Sequence, residues 1–247
     1  MNDYNAPADL LRDKVILITG AGAGIGAQAA KTYAAHGAIC ILLGRTVSKL
    51  EAVYDEIVAA GGQEPAIVPL DIKGATPSHY QQMTQTIIDQ FGRLDGVLHN
   101  AGILGHLSAF KDIDAQEWQD VMQINLNGMV YMTQALIPAL EKADNASVIF
   151  TTSSVGRKGR AFWGTYAVSK FATEGVMQTL ADEYQNKSLR FNCINPGGTR
   201  THMRAQAFPA ENPETLKTPA DIMPMYLYLM GDESIKVNGQ SLDCQPK

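Results

Sequence analysis

The chain has 247 residues, 45% of them hydrophobic, which is ample for one core and predicts a single domain over residues 1–247. A formal net charge of −5 with no long basic run argues against nucleic acid as the main partner. The longest uncharged stretch, Val15 to Ala30, is glycine-rich and shorter than the ~20 apolar residues of a membrane span, and residues 1–13 lack the apolar run of a signal peptide, so a cytoplasmic protein without membrane contact, acting on a small molecule, is expected.

Residues 1–12 precede the first regular pattern and are expected to be flexible or an added segment. The apolar run Val15–Thr19 then reads as a strand that enters Gly20-Ala21-Gly22-Ala23-Gly24-Ile25-Gly26 and a helical pattern over Gly26–His36. A glycine-rich turn between strand and helix lets backbone amides approach a pyrophosphate, and the unpaired N–H groups and dipole of the helix N-terminus favour its negative charge. Two registers fit. Gly22, Gly24 and Ala27 match the literal GxGxxG/A pattern, whereas Gly20, Gly24 and Gly26 put the first glycine at the strand's end, which is geometrically preferable.

The second strand, Ala38–Leu43, runs into Gly44-Arg45. A site for NAD usually places a carboxylate here to bind the ribose 2′-hydroxyl. Arg45 instead offers a planar guanidinium able to pair with a 2′-phosphate, so NADP(H) is expected in preference to NAD(H); the plainer alternative is a solvated loop charge. A helix over Ser48–Ala60 and a strand over Ala66–Leu70 follow, with Asp71, and Ile72 after it, where they could reach an adenine. The pattern continues with a helix over Pro77–Phe91, a strand over Gly96–Leu98, a long helix over Ala115–Glu141 and a strand over Ser147–Thr151.

Beyond that fifth strand lies Ser153, whose hydroxyl could polarise a carbonyl; Ser154 is an alternative. The helix over Thr165–Asn186 opens with Tyr166 and Lys170, four apart and so on one face. A tyrosine of reference pKa ~10 becomes a base near neutrality only if the phenolate is favoured by about 4 kcal/mol, and a nearby ammonium can supply much of that. Between the serine and the tyrosine, Arg157-Lys158-Gly159-Arg160 with Phe162 and Trp163 reads either as a recognition rim for an anionic substrate or as a solvated loop with packed aromatics. A strand over Arg190–Ile194, a helix over Ala220–Met230 and a strand over Gln240–Asp243 complete the chain. Before that last helix, Phe208–Pro219 looks extended, and residues 202–218 are a candidate substrate loop, the alternative being an ordinary surface connection. Strands alternating with helix-length segments are what parallel βαβ units need, so the fold class is α/β, doubly wound. Three dispersed cysteines without CxxC spacing and five dispersed histidines point to buried thiols and away from a disulfide framework or a metal site.

Taken together, Thr19-Gly20-x-x-x-Gly24-Ile25-Gly26, His99-Asn100-Ala101-Gly102, Asn125, Ser153, Tyr166-x-x-x-Lys170 and Asn195-Pro196-Gly197 resemble the short-chain dehydrogenase/reductase family, classical type, over nearly the whole chain. The resemblance implies a single Rossmann-type domain with a mostly parallel seven-stranded sheet and hydride transfer between a nicotinamide and a carbonyl or alcohol. It implies Tyr166 as acid/base, Lys170 holding the nicotinamide ribose and lowering the tyrosine pKa, Ser153 orienting the substrate oxygen, and Asn125 completing a tetrad by supporting a helix and an ordered water behind Lys170. Asn100, Ala101 and Gly102 would line the adenosine ribose, Pro196, Gly197 and Thr201 would border the nicotinamide and pyrophosphate, and Thr199 would sit near the carboxamide. A homodimer or homotetramer is the family expectation. His99 stands where the family usually has asparagine, and Asp243-Cys244-Gln245-Pro246 stands where many members have Asp-Gly-Gly, which puts the usual tetramer in doubt. Within the family, the runs Asn195–Thr201 and Thr218–Pro224 resemble the YciK-like bacterial oxidoreductases. The alternative from another class is a catalytically silent dinucleotide-binding sensor or scaffold of the same fold.

Overall fold

The computed structural model describes residues 4–246. The strands read as continuous apolar runs because both faces of the sheet are covered, the usual condition of an all-parallel sheet. Strand β1 (Val15–Thr19) is buried along its whole length: Ile16 and Ile18 face one core, Val15 and Leu17 the other. The remaining strands are β2 (Ile39–Gly44), β3 (Ala66–Pro69), β4 (Gly96–His99), β5 (Ala146–Thr151), β6 (Leu189–Asn195) and β7 (Ser241–Asp243), in the order β3-β2-β1-β4-β5-β6-β7 with every neighbouring pair parallel.

Helices α1 (Gly24–Ala35), α2 (Val47–Ala59) and α8 (Met223–Met230) cover one face, around Tyr33, Leu42 and Tyr226. Helices α3 (Pro77–Phe91), α5 (Gly128–Leu140) and α6 (Gly164–Glu183) cover the other, around Tyr80, Met132 and Phe191. This is the doubly wound Rossmann-type architecture, and the strand order reverses direction between β1 and β4. In such sheets the crevice beyond the carboxyl ends of the strands at that switch is where ligands bind. Cys40, Cys193 and Cys244 are buried free thiols.

Three segments differ from the sequence pattern. The predicted helix over Ala115–Glu141 is two helices, α4 (Ala115–Met122) and α5, joined by a π-helical turn, Gln123–Asn127. The stretch 202–218 is structured: it contains the six-residue helix α7 (His202–Ala207), capped by the Thr201 hydroxyl, and a bridge between Thr199 and Lys217 ties its base. Residues 4–12 are docked on the domain. Leu11 is fully buried, its N–H donates to the His36 carbonyl at 3.0 Å, and Tyr4 packs edge-on against Tyr228.

Candidate active site

The turn after β1 is shaped by what cannot fit there. Gly20 and Gly24 take positive φ, +68° and +55°, which glycine alone adopts freely. A Cβ on Gly26 would overlap the Gly20 carbonyl oxygen and come within 2.8 Å of Asn100 Nδ2. Gly22 lies outside the left-handed region and a Cβ there would meet a side chain, Lys49 Cβ at 3.0 Å, rather than a backbone carbonyl, so the strictest glycine requirement falls on the Gly20, Gly24, Gly26 register. Helix α1 then follows with Ala23 as its N-cap, no side-chain cap and no acidic residue in its first turn, leaving backbone N–H groups at the crevice. Thr19 braces the turn from below: its Oγ1 accepts from the N–H groups of Asn100 at 2.9 Å and Ala101 at 3.0 Å, joining the ends of β1 and β4.

Two cavities open along this edge of the sheet. One of about 1280 Å³ is lined by Gly20, Gly44, Arg45, Asp71, Ile72, Ala101 and Gly102. Lys49, which the sequence reading passed over, lines it too, one helical turn after Arg45; a basic residue at that spacing was the available signal. The other cavity, about 330 Å³, brings together Gly24, Ile25, Asn100, Ser153, Tyr166, Lys170, Pro196, Gly197, Thr199 and Thr201, with Trp163 of the rim as one apolar wall and Leu104, Met203 and Ala207, which the sequence had not singled out, as the others. Thr19, Gly26 and Asn125 lie beneath these surfaces as supports. Ser154 is exposed and outside both cavities, whereas Ser153 faces the phenol.

The π turn gives Asn125 its place, as such turns often do at functional positions. Its Oδ1 accepts from Ile103 N–H at 2.8 Å, and its Nδ2 donates to the Ile103 carbonyl at 2.9 Å and to Ser169 Oγ at 3.1 Å. Ser169 in turn donates to the Tyr166 carbonyl at 2.8 Å, so the strand-end loop and α6 are locked to one buried amide. Gly156 brings the turn after Ser153 against α6, where a Cβ would stand 2.9 Å from the Lys170 backbone.

Burial dominates the electrostatics of the pair in the protein alone. Burial pushes the Tyr166 phenol up to about 12, opposed only by its hydrogen bond with Ser153. The same burial brings Lys170 down to about 8. Lys170 Nζ lies 5.6 Å from the tyrosine ring centroid and is anchored on the Thr151 carbonyl at 2.8 Å. The neutral phenol is therefore the stable form.

At the rim, the arginines of the basic run contact the protein itself. Arg157 pairs with Asp243 and lies 3.9 Å from Glu174, and the Arg160 guanidinium sits over the rings of Trp163 and Phe208, 5.8 and 5.7 Å from their centroids. Arg204, on α7, donates to both oxygens of Glu211 at 2.6 Å and stacks 3.8 Å from the Phe208 centroid.

A family model described as short chain dehydrogenase matches residues 14–212. The chain belongs to the short-chain dehydrogenase family. It is 56% identical over 243 residues to the protein described as uncharacterized oxidoreductase YciK of Escherichia coli (strain K12), covering 98% of this chain and 96% of that one. A crystal structure of a putative short chain dehydrogenase from Escherichia coli, complexed with NADPH, superposes with a TM-score of 0.96 at 57% identity, covering 98% and 100% of the two chains. One from Shigella flexneri, complexed with NADP, gives 0.95 at 57% identity over 97% and 100%. Among the described residues no helix is long and apolar enough to cross a membrane.

Proposed function

We propose that this short-chain dehydrogenase is an NADP(H)-dependent oxidoreductase that exchanges hydride with the carbonyl or alcohol carbon of a small uncharged substrate, Tyr166 handling the proton. The observation that carries this reading is the convergence of Ser153, Tyr166 and Lys170 on one cavity whose opposite wall is the glycine turn and Pro196–Thr201.

The residues present fit the dinucleotide. Glycines 20 and 26 leave a cradle that a side chain would fill, the uncapped first turn of α1 suits a pyrophosphate, and Arg45 and Lys49 supply the positive charge that a 2′-phosphate calls for. Two relatives, each 57% identical, hold NADPH and NADP, which supports NADP(H) as a ligand of this fold. Bound NADPH supplies the hydride. The chain's own part is then proton delivery: a phenol held neutral by burial is a competent acid toward a carbonyl oxygen, and Ser153 can donate a second hydrogen bond to the same oxygen.

The substrate reading follows from the walls. Leu104, Trp163, Met203 and Ala207 surround the cavity, and Arg157, Arg160 and Arg204 are each engaged by a carboxylate or an aromatic ring, so an uncharged, apolar carbonyl compound suits it better than an anion. Exposed Tyr131 on α5 and Val168 and Phe171 on α6 support a homo-oligomer packed through those helices, which light scattering at dilute concentration tests. For the activity itself, NADPH oxidation is followed with matched neutral and carboxylated ketones. Tyr166→Phe is expected to bind NADPH normally and lose most turnover; NADPH binding by the wild type without turnover of any carbonyl in a broad panel would favour the sensor instead.

A further inference from the structure

The C-terminal tetrapeptide that departs from the family pattern, Asp243-Cys244-Gln245-Pro246, ends at the proposed nicotinamide wall. Strand β7 pairs with β6 so that Asp243 lies opposite Asn195, and Cys244 N–H donates to the Asn195 carbonyl at 2.9 Å. One residue later Gln245 folds over the loop that leaves β6. Its Nε2 donates to the carbonyls of Pro196 at 2.8 Å and Gly198 at 3.1 Å and stands 3.5 Å from Thr199 Oγ1. A primary amide has two N–H groups, and both are used; turning the amide over would set its oxygen against two carbonyls. Gly197 beneath it has φ +74°, and a Cβ there would meet Gln245 at 3.0 Å, so loop and tail are fitted to each other. Asp243, for its part, accepts from Asn195 Nδ2 at 2.7 Å and pairs with Arg157, which closes the turn begun by Ser153.

We propose that Gln245 is a positioning residue for the nicotinamide end of the cofactor: its amide fixes the Pro196–Thr199 backbone so that this wall is preformed opposite Tyr166 and Ser153. The proposal rests on the NADP(H) reading above. Loss of the two donated bonds should loosen the Pro196–Gly198 backbone, which the Thr199–Lys217 bridge holds only at its far end, while the distant adenosine and 2′-phosphate contacts remain intact.

The test compares NADPH with adenosine 2′,5′-bisphosphate, which carries the adenosine, the 2′-phosphate and one 5′-phosphate but no nicotinamide. Dissociation constants are measured by calorimetry for the wild type, for Gln245→Met, which keeps length and volume without the donors, and for Gln245→Glu, which faces the carbonyls with a carboxylate. Gln245→Met is expected to weaken NADPH about tenfold, the scale of one or two lost hydrogen bonds, and Gln245→Glu more, with bisphosphate affinity unchanged within about twofold. Unchanged NADPH affinity in both variants, or equal loss of both ligands, would overturn the proposal. Should the variants not fold, hydrogen exchange on the wild type decides: NADPH but not the bisphosphate should protect the Gly197–Thr199 amides, and identical protection by the two counts against the role. A wild type that binds neither ligand sinks the cofactor reading rather than this one.

Discussion

Lys170 donates from Nζ to the carbonyl oxygen of Thr151 at 2.8 Å, which fixes the ammonium at the end of β5. Buried and brought down to about 8, that ammonium is protonated below pH 8 and loses its proton above it. NADPH-dependent reduction is therefore expected to be level from about pH 6 to 7.5 and to fall tenfold per pH unit above about 8. Lys170→Met should remove this limb together with most activity, and a profile that rises through pH 8 would contradict the assignment.

The glycine register is tested by contrast. Gly26→Ala puts a methyl into the Gly20 carbonyl, backbone against backbone, and should cost about 1–3 kcal/mol of stability as well as most NADPH affinity. Gly22→Ala is closest to the Lys49 Cβ, at 3.0 Å, with Leu50 Cδ2 and the Lys49 backbone at 3.6 Å, and should be milder on both counts in thermal melts and titrations.

Arg45 and Lys49 should act on one cofactor and not on the other. Charge-assisted hydrogen bonds to a phosphate contribute about 1.5–3 kcal/mol, so Arg45→Ala is expected to weaken NADPH roughly 10- to 100-fold, with Lys49→Ala in the same direction and NADH nearly unaffected. Equal losses for both cofactors in a fluorescence titration would show that neither side chain reads the 2′-phosphate.

His99 links stability to pH. It is buried, stacked on Phe150 with centroids 5.2 Å apart, and 2.9 Å from Thr133 Oγ1, which itself donates to the Met129 carbonyl; the ring therefore donates to the hydroxyl. Burial lowers its pKa to about 3. Below the unfolded value of about 6.5 the unfolded chain binds a proton that the folded one refuses, so stability falls with acidification from pH 6.5 toward 3 by up to about 1.4 kcal/mol per unit. Denaturant titrations across that window should show a shallower slope for His99→Asn.

Arg157→Ala should leave the relative KM of acidic and neutral ketones unchanged, since its guanidinium is spent on Asp243 and Glu174. It should instead lower turnover modestly by loosening the turn behind Ser153. A selective loss of acidic substrates would restore the recognition role.

Most strands were legible because burial on both faces writes an unbroken apolar run, as in Val15–Thr19, and turn glycines were legible because the Gly20 and Gly24 backbone admits little else. The break at Gln123–Asn127 was not, since a π turn keeps the residue types of a helix and changes only the bonding partner. Helix α7 escaped for its length: six residues give too little periodicity to register. The burial of the phenol was hidden for another reason. Spacing puts Lys170 on the same face as Tyr166, but burial and the Thr151 carbonyl, both tertiary, decide what the pair does. Gln245 likewise gains its partners only from the pairing of β7 with β6.

The three buried thiols give the protein an internal reporter. Burial pushes Cys40 and Cys244 up to about 12 and Cys193 higher still, and alkylating reagents attack the thiolate, so the native chain should be inert to them at neutral pH. Cys40 lies in β2, Cys193 in β6 and Cys244 just beyond β7, spread across the sheet from near one edge to the other. Mass spectrometry of pulse-labelled protein therefore distinguishes a molecule that opens all at once, carrying three adducts or none, from one that frays from the C-terminal edge and acquires its first label on Cys244.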